Sequence, residues 1–178
     1  MKKNETSAAP ARAARSVNPW LDVEPDGSNL TIDSFPTNLI VNLANSLRRT
    51  ITSNYAEQFG LTVSEWRFLA LLAESSPVNF TTLVEVSGSD KALVSRSMQA
   101  LQMRGFAKVQ KGTTVNQKKL PYLITRKGQN MYNKILPHAC EKQGALLEAL
   151  SKTEKTHLFT ALQKLQTYCD QLEQTSKA

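Results

Sequence analysis

Cysteine and histidine are nearly missing from this chain of 178 residues, which holds two of each: Cys140, Cys169, His138 and His157. So few, so widely spaced, provide neither a disulfide framework nor the clustered ligands of a metal site. Long apolar runs are missing too. No stretch approaches the roughly 20 consecutive apolar residues that span a bilayer, and the opening MKKNETSAAPARAARS lacks the apolar centre of a secretory signal. A cytoplasmic protein without a membrane partner is expected. No Gly-rich phosphate loop and no grouping of nucleophile, base and oxyanion donors occurs, so neither an enzyme nor a cofactor is expected. The last absence is local. From Lys91 to Lys127 there is no Asp or Glu, against nine Lys and Arg residues, so the net charge of +7 is concentrated where a polyanion would meet it.

Within that stretch, SDKALVSRSMQALQMRG from Ser89 to Gly105 reads as a two-faced helix. Val94, Met98 and Leu101 share one side at helical spacing and make it the docked face, with Asp90 placed on the same side. The other side carries Ala92, Ser95, Arg96, Gln99 and Met103, small or hydrogen-bonding side chains suited to base edges. Ser89 or Asp90 serves as N-cap, and Gly105 stands where a left-handed residue ends a helix. Lys91 lies in the first turn, beside any phosphate that the helix start attracts.

Residues 1–32, rich in Ala, Ser and Asn and broken by Pro10, Pro19, Pro25 and Gly27, read as a flexible arm whose Lys2, Lys3, Arg12 and Arg15 could touch phosphates. Trp20 and Leu21 suggest that its second half packs onto something. A helix begins near Asp33 or Ser34 with Pro36 in its first turn, and Leu39, Leu43, Leu47, Ile51 and Tyr55 recur every fourth residue until Gly60 ends it. Thr62-Val63-Ser64-Glu65 is a capping box for a helix to Glu74, closed by Ser75-Ser76-Pro77. A short helix of about Thr81 to Ser87, with Leu83, Val84 and Val86, precedes Gly88. Short helix, glycine turn and amphipathic helix together form a helix-turn-helix, whose second helix enters the major groove.

After Gly105 the pattern changes to short β segments, Phe106 with Lys108–Gln110 and Leu120–Ile124, joined by the polar, basic link Lys111–Lys119. This hairpin is the wing of a winged helix, suited to tracking phosphates or entering a minor groove. Thr125 caps a further helix through Met131, Ile135, Ala139 and Leu146, in which Pro137 and Gly144 are expected to make a kink or interruption. Ser151-Lys152-Thr153-Glu154 is a second capping box. The helix it opens carries Leu158, Leu162, Leu165, Cys169 and Leu172, spaced four, three, four and three, a coiled-coil-like seam. Helical, apolar chain ends around a compact reader imply that the ends pair two subunits.

Four segments, in this order and spacing, resemble the MarR family of bacterial winged helix-turn-helix transcription regulators. They are Leu61–Leu69, Asp90–Arg96, Leu101–Phe106 and Leu123–Gly128, and the similarity extends from about Leu39 to Leu172. The resemblance implies a mainly α fold with a small β-wing, a winged helix-turn-helix plus a helical dimerisation domain built from both termini. It assigns residues 33–60 and 126–174 to the dimerisation domain and 61–125 to the DNA-binding domain. It also implies a homodimer on a pseudo-palindromic double-stranded DNA operator, acting as a repressor released by a small aromatic acid or acyl-CoA effector. Where family wings carry Asp followed by Arg, this chain has Asn116, Gln117 and Lys118, which keep a charge but lose the guanidinium fork.

The expected base-reading residues are Ala92, Ser95, Arg96 and Gln99; the expected phosphate and wing residues are Ser89, Lys91, Arg104, Lys111, Asn116, Lys118 and Lys119. Where the family binds its effector, this chain offers Arg48, Arg49, Tyr55 and Trp66, an aromatic wall with cations for a carboxylate. The plainer alternative makes Tyr55 and Trp66 core residues and Arg48 and Arg49 surface arginines. Two other functions stay open from the sequence: a winged helix that binds an acidic protein, and a redox-sensing regulator. The second would act through Cys140 or Cys169, both placed on apolar helix faces where a buried thiol is inert.

Overall fold

Glycines and capping side chains set the element boundaries along the residues that the computed structural model describes, 18–110 and 120–176. The chain divides into two units, residues 1–46 and 47–178. In the first, residues 18–35 form successive turns held by their own side chains. The Trp20 indole Nε1 donates to the Ser34 carbonyl at 2.6 Å. The Asn29 side chain donates to the Asp22 carbonyl at 2.6 Å and accepts from the Glu24 amide at 3.1 Å. What Trp20 packs toward is therefore its own segment. Ile32–Ser34 is a single 3-10 turn, and helix α1 runs Pro36–Leu47 with Pro36 as its first residue, one turn later than Asp33 would have placed it. Proline lacks the N–H that a first helical residue leaves unused anyway. Residues 1–17, including Lys2, Lys3, Arg12 and Arg15, lie outside the described residues.

The second unit opens with a π-helical turn, Arg48–Thr52, before α2, Ser53–Gln58, so the single long α-helix expected up to Gly60 is divided. The turn falls on three successive β-branched residues, Thr50, Ile51 and Thr52, poor helix formers. The Asn54 side-chain amide donates to the Thr50 carbonyl at 2.7 Å. Gly60, at φ +69°, ends α2. The Thr62–Glu65 box forms as expected, with the Thr62 amide donating to Glu65 Oε2 at 2.8 Å and the Glu65 amide to Thr62 Oγ1 at 3.2 Å.

Helix α3, Val63–Ser75, is the centre of the core. It buries Trp66, Phe68, Leu69 and Leu72 against α2, α5, α6 and the sheet. Helix α4, Phe80–Ser87, buries Leu83 and Ser87, one turn apart, and leaves Val86 61% exposed. Helix α5, Lys91–Met103, buries Val94, Ser97, Met98 and Leu101. Strands β1, Ala107–Val109, and β2, Tyr122–Ile124, pair antiparallel with Ala107 opposite Ile124 and Val109 opposite Tyr122. The Gln110 amide extends the pairing to the Pro121 carbonyl, and Val78 adds a bridge to Tyr122 through two backbone bonds of 2.8 and 3.0 Å.

Helix α6, Arg126–Glu148, begins at Thr125, whose Oγ1 accepts from the Gly128 amide at 3.0 Å. It runs without interruption, with Pro137 and Gly144 both inside it, so of the kink or interruption expected there the interruption does not occur. Pro137 is exposed, and so is Asn133, whose carbonyl loses its amide partner at the solvent side. Nothing packs within 4 Å of a Cβ placed on Gly144, so no tertiary contact turns on that residue. Helix α7, Lys152–Thr175, starts at the Ser151–Glu154 box as expected.

The placement of the cysteines needs correction. Cys140 and Cys169 are both exposed thiols. Cys140 follows the buried Ala139 around the helix and turns outward, and α7 buries none of its residues within the single chain, so its apolar stripe gives Cys169 no cover. No helix among the described residues is long and apolar enough to cross a membrane.

Candidate nucleic-acid interface

The α4–turn–α5 unit is shaped by three short-range devices. Asn79 caps α4 by accepting from the Thr82 amide at 2.8 Å, Gly88 closes it at φ +58°, and Asp90 caps α5 by accepting from the Leu93 amide at 2.8 Å. Asp90 is thus the N-cap, exposed at the helix start, and does not belong to the docked face. Gly105 follows α5 at φ +72°, the left-handed residue that its position called for.

With α5 docked through Val94, Met98 and Leu101, all without exposed surface, the opposite face is left in solvent. Ala92, Ser95, Arg96, Gln99 and Met103 are all exposed, and Lys91 is exposed in the first turn. Two successive helix turns thus offer, on one face, a methyl group, a hydroxyl, a guanidinium and a carboxamide. These are the donors, acceptors and apolar contacts that distinguish base pairs in a major groove. Ser89 is half-buried and engaged within the turn: its amide donates to Ser87 Oγ at 3.2 Å and its hydroxyl to the Ser87 carbonyl at 3.4 Å.

Arg104 occupies a different place from the one its sequence position suggested. Its Nη1 donates to the Gly60 carbonyl at 2.7 Å and stands 3.6 Å from Glu65 Oε2, and its guanidinium lies 5.0 Å over the Phe106 ring. Charge-assisted bonding to a carbonyl and a carboxylate, together with stacking on a ring, uses the group internally. Lys127 is held similarly, donating to the Arg104 carbonyl at 2.8 Å with its ammonium 5.3 Å over Phe106. Sequence reasoning missed Arg67, whose Nη2 donates to the Ser87 carbonyl at 2.6 Å, because a cation on an outward helix position carries no mark of the carbonyl it will meet.

The wing's β-stem is in place, and its basic tip, Lys111–Lys119 with Asn116 and Lys118, lies outside the described residues. Beyond the stem, Phe106, Arg126, Lys127, Asn130, Met131 and Lys134 line an open groove of about 450 Å³ with a basic rim.

Of the four expected effector residues, the fold brings two together. Tyr55 and Trp66 are buried, with ring centroids 6.0 Å apart in an edge-to-face arrangement and the indole Nε1 donating to Tyr55 Oη at 3.1 Å. Trp66 also stacks on Tyr132 at 5.7 Å, and the Tyr132 hydroxyl donates to Glu74 at 3.3 Å. Burial, reinforced by the Glu74 carboxylate, pushes the Tyr132 phenol above the ordinary tyrosine value. Packed on one another, these rings follow the plainer reading, core residues rather than an open wall. Arg48 and Arg49 are exposed on the π turn.

By sequence, residues 56–137 match the family model described as sugar-specific transcriptional regulator TrmB, which covers the end of α2, the α4–α5 unit, the sheet and half of α6. Among curated sequences none matches. By structure, a MarR/EmrR family transcriptional regulator from an Acinetobacter species is 31% identical and superposes with a TM-score of 0.70, covering 80% of this chain and 99% of that one. The chain belongs to the MarR family of transcriptional regulators. A MarR-family regulator from Listeria monocytogenes, solved with a 26mer DNA, has the same fold at 21% identity and TM-score 0.66, covering 75% of this chain and 88% of that one. BpsR of Bordetella bronchiseptica, whose DNA binding is regulated by 6-hydroxynicotinic acid, shares it at 17% identity and TM-score 0.65, covering 77% and 96%. The MarR family is one of transcriptional regulators and is non-enzymatic.

Proposed function

We propose that this protein is a cytoplasmic, homodimeric repressor that binds a pseudo-palindromic double-stranded DNA operator and is released by a small aromatic acid or acyl-CoA. The observation that carries the DNA reading is the exposed row Ala92, Ser95, Arg96 and Gln99 on a helix whose other face is fully buried. Ser95, Arg96 and Gln99 read base edges, with Ala92 against a thymine methyl. Lys91 and Ser89 at the helix start, with Lys111, Asn116, Lys118 and Lys119 of the wing, hold phosphates. Arg104, expected among the phosphate contacts, is bonded inward and is not counted with them. Residues 61–125 form the reader, and the helices of 33–60 and 126–174 pair the two copies.

The DNA-bound Listeria relative and the ligand-regulated Bordetella relative support this reading by analogy of fold. Because Tyr55 and Trp66 are core residues, an anionic effector would meet Arg48 and Arg49 from the solvent side. A mobility-shift assay against genomic fragments at physiological salt tests the proposal. Retention of one symmetric fragment is the expected result; smearing without preference would instead favour a winged helix that binds an acidic protein. Release of the fragment, together with a raised melting temperature, identifies the effector among aromatic acids and acyl-CoA thioesters.

A further inference from the structure

The turn that leads into α5 and the trailing end of α5 are each fastened to α3 or to the residues before it through an arginine. At the leading end, Arg67 of α3 donates to the carbonyl of Ser87, the last residue of α4, and Ser87 Oγ in turn takes the Ser89 amide. At the trailing end Arg104, the C-cap residue of α5, reaches back to the Gly60 carbonyl and to Glu65 Oε2, the oxygen that closes the capping box of α3. The apolar contacts of Val94, Met98 and Leu101 set how deeply α5 is seated, but apolar packing is non-directional and permits small rotation and sliding. A charged donor on a backbone carbonyl is directional, and the carbonyl cannot shift without its turn.

We propose that Arg67 and Arg104 are positioning residues, a two-ended clamp that fixes the angle at which α5 presents Ser95, Arg96 and Gln99. They therefore govern discrimination between sequences and not attachment to DNA. The inference rests on α5 being the DNA reader. A planar guanidinium suits Arg104 because one group meets a carbonyl, a carboxylate and the Phe106 ring together, which an ammonium cannot do with the same geometry.

The test uses the full-length chain as wild type, Arg67→Ala, Arg104→Ala, Arg67→Lys, Arg104→Lys and, as a phosphate-contact control, Lys118→Ala. Binding is measured across a salt series to the duplex that the wild type selects from a random pool, and to a scrambled duplex. Amide hydrogen exchange is followed along α5 without DNA. Each alanine variant is expected to lower the specific-to-scrambled ratio about tenfold or more, to keep the wild-type salt slope and to speed exchange selectively in α5. Arg67→Lys, which keeps a charged donor, restores part of the ratio. Should an alanine variant fail to fold, the lysine variants are compared by the same two readouts.

If Arg104→Ala weakened both duplexes alike and flattened the salt slope by about one, as Lys118→Ala should, Arg104 would be a phosphate contact and the clamp would be wrong. Unchanged ratio and unchanged exchange in both alanine variants would equally overturn it. If the wild type selected no duplex, the DNA reading would fail, while the exchange data would still show whether the arginines hold α5.

Discussion

A single carbonyl decides what can stand at position 128. A Cβ on Gly128 would overlap the Phe106 carbonyl oxygen and come within 3.0 Å of Ile124 Cγ1, because α6 starts directly against the end of the α5–β1 connection. That same carbonyl accepts from the Thr125 amide at 3.0 Å, so it has no freedom to retreat. Gly128→Ala should cost about 3 kcal/mol or more of stability, read as a lower urea midpoint with unchanged slope. Arg96→Ala should leave stability unaltered, since the side chain is exposed, and lose about 1 to 3 kcal/mol of sequence discrimination in competition binding. Tyr132 adds a pH dependence. Its phenol is held neutral by burial and by Glu74, so its folded pKa exceeds its unfolded one. The stability it contributes is complete below pH about 10 and is lost as pH rises through the raised folded value. Denaturation of Tyr132→Phe between pH 9 and 11 should show a shallower alkaline loss than the wild type.

At the scale of elements, α3, α4 and α5 are short helices none of which would persist alone, each fixed by a cap and by packing on a neighbouring helix. Removing the cap on α3 is the cleanest trial. Thr62→Ala loses the hydroxyl that accepts the Glu65 amide, while the backbone amide of residue 62 still donates to the Glu65 carboxylate, which also faces Arg104. A loss of about 1 kcal/mol in chemical denaturation is expected from the cap. If Glu65 also steadies Arg104, combining Thr62→Ala with Arg104→Ala should cost less than the sum of the two single changes, as expected for side chains in one network.

At the scale of the whole molecule, the longest run of exposed apolar side chains among the described residues of the second unit belongs to α7. Leu158, Phe159, Leu162, Leu165, Tyr168 and Leu172 are between 44% and 64% exposed in the single chain. In the first unit, Ile40, Val41 and Leu43 of α1 are between 43% and 56% exposed. Apolar stripes of this kind each mark an interaction surface, and the proposed occupant is a second copy. Leu162→Glu combined with Leu165→Glu should turn a sedimenting dimer into a monomer that still folds its reader. Operator affinity should then fall steeply, because one half-site replaces two, and protection of two half-sites about one helical turn apart should be lost.

The order of elements, their caps and their faces are local matters, and the chain carries them in its residues. Thr62-Glu65, Ser151-Glu154, Thr125, Gly88 and Gly105 mark boundaries through bonds made within a few positions. The two faces of α5 follow from spacing alone. What spacing could not supply was the partner of each long side chain. Arg67 and Arg104 find carbonyls 20 and 44 residues away, Trp66 closes on Tyr55 and on Tyr132, and the two cysteines turn outward. Nor did composition show that α6 would run on through Pro137, which depends on its lying at the exposed side. Periodicity reports which side of a helix is apolar. Only tertiary packing decides which distant group stands opposite it, because that contact joins segments whose separation in the chain leaves no local signature.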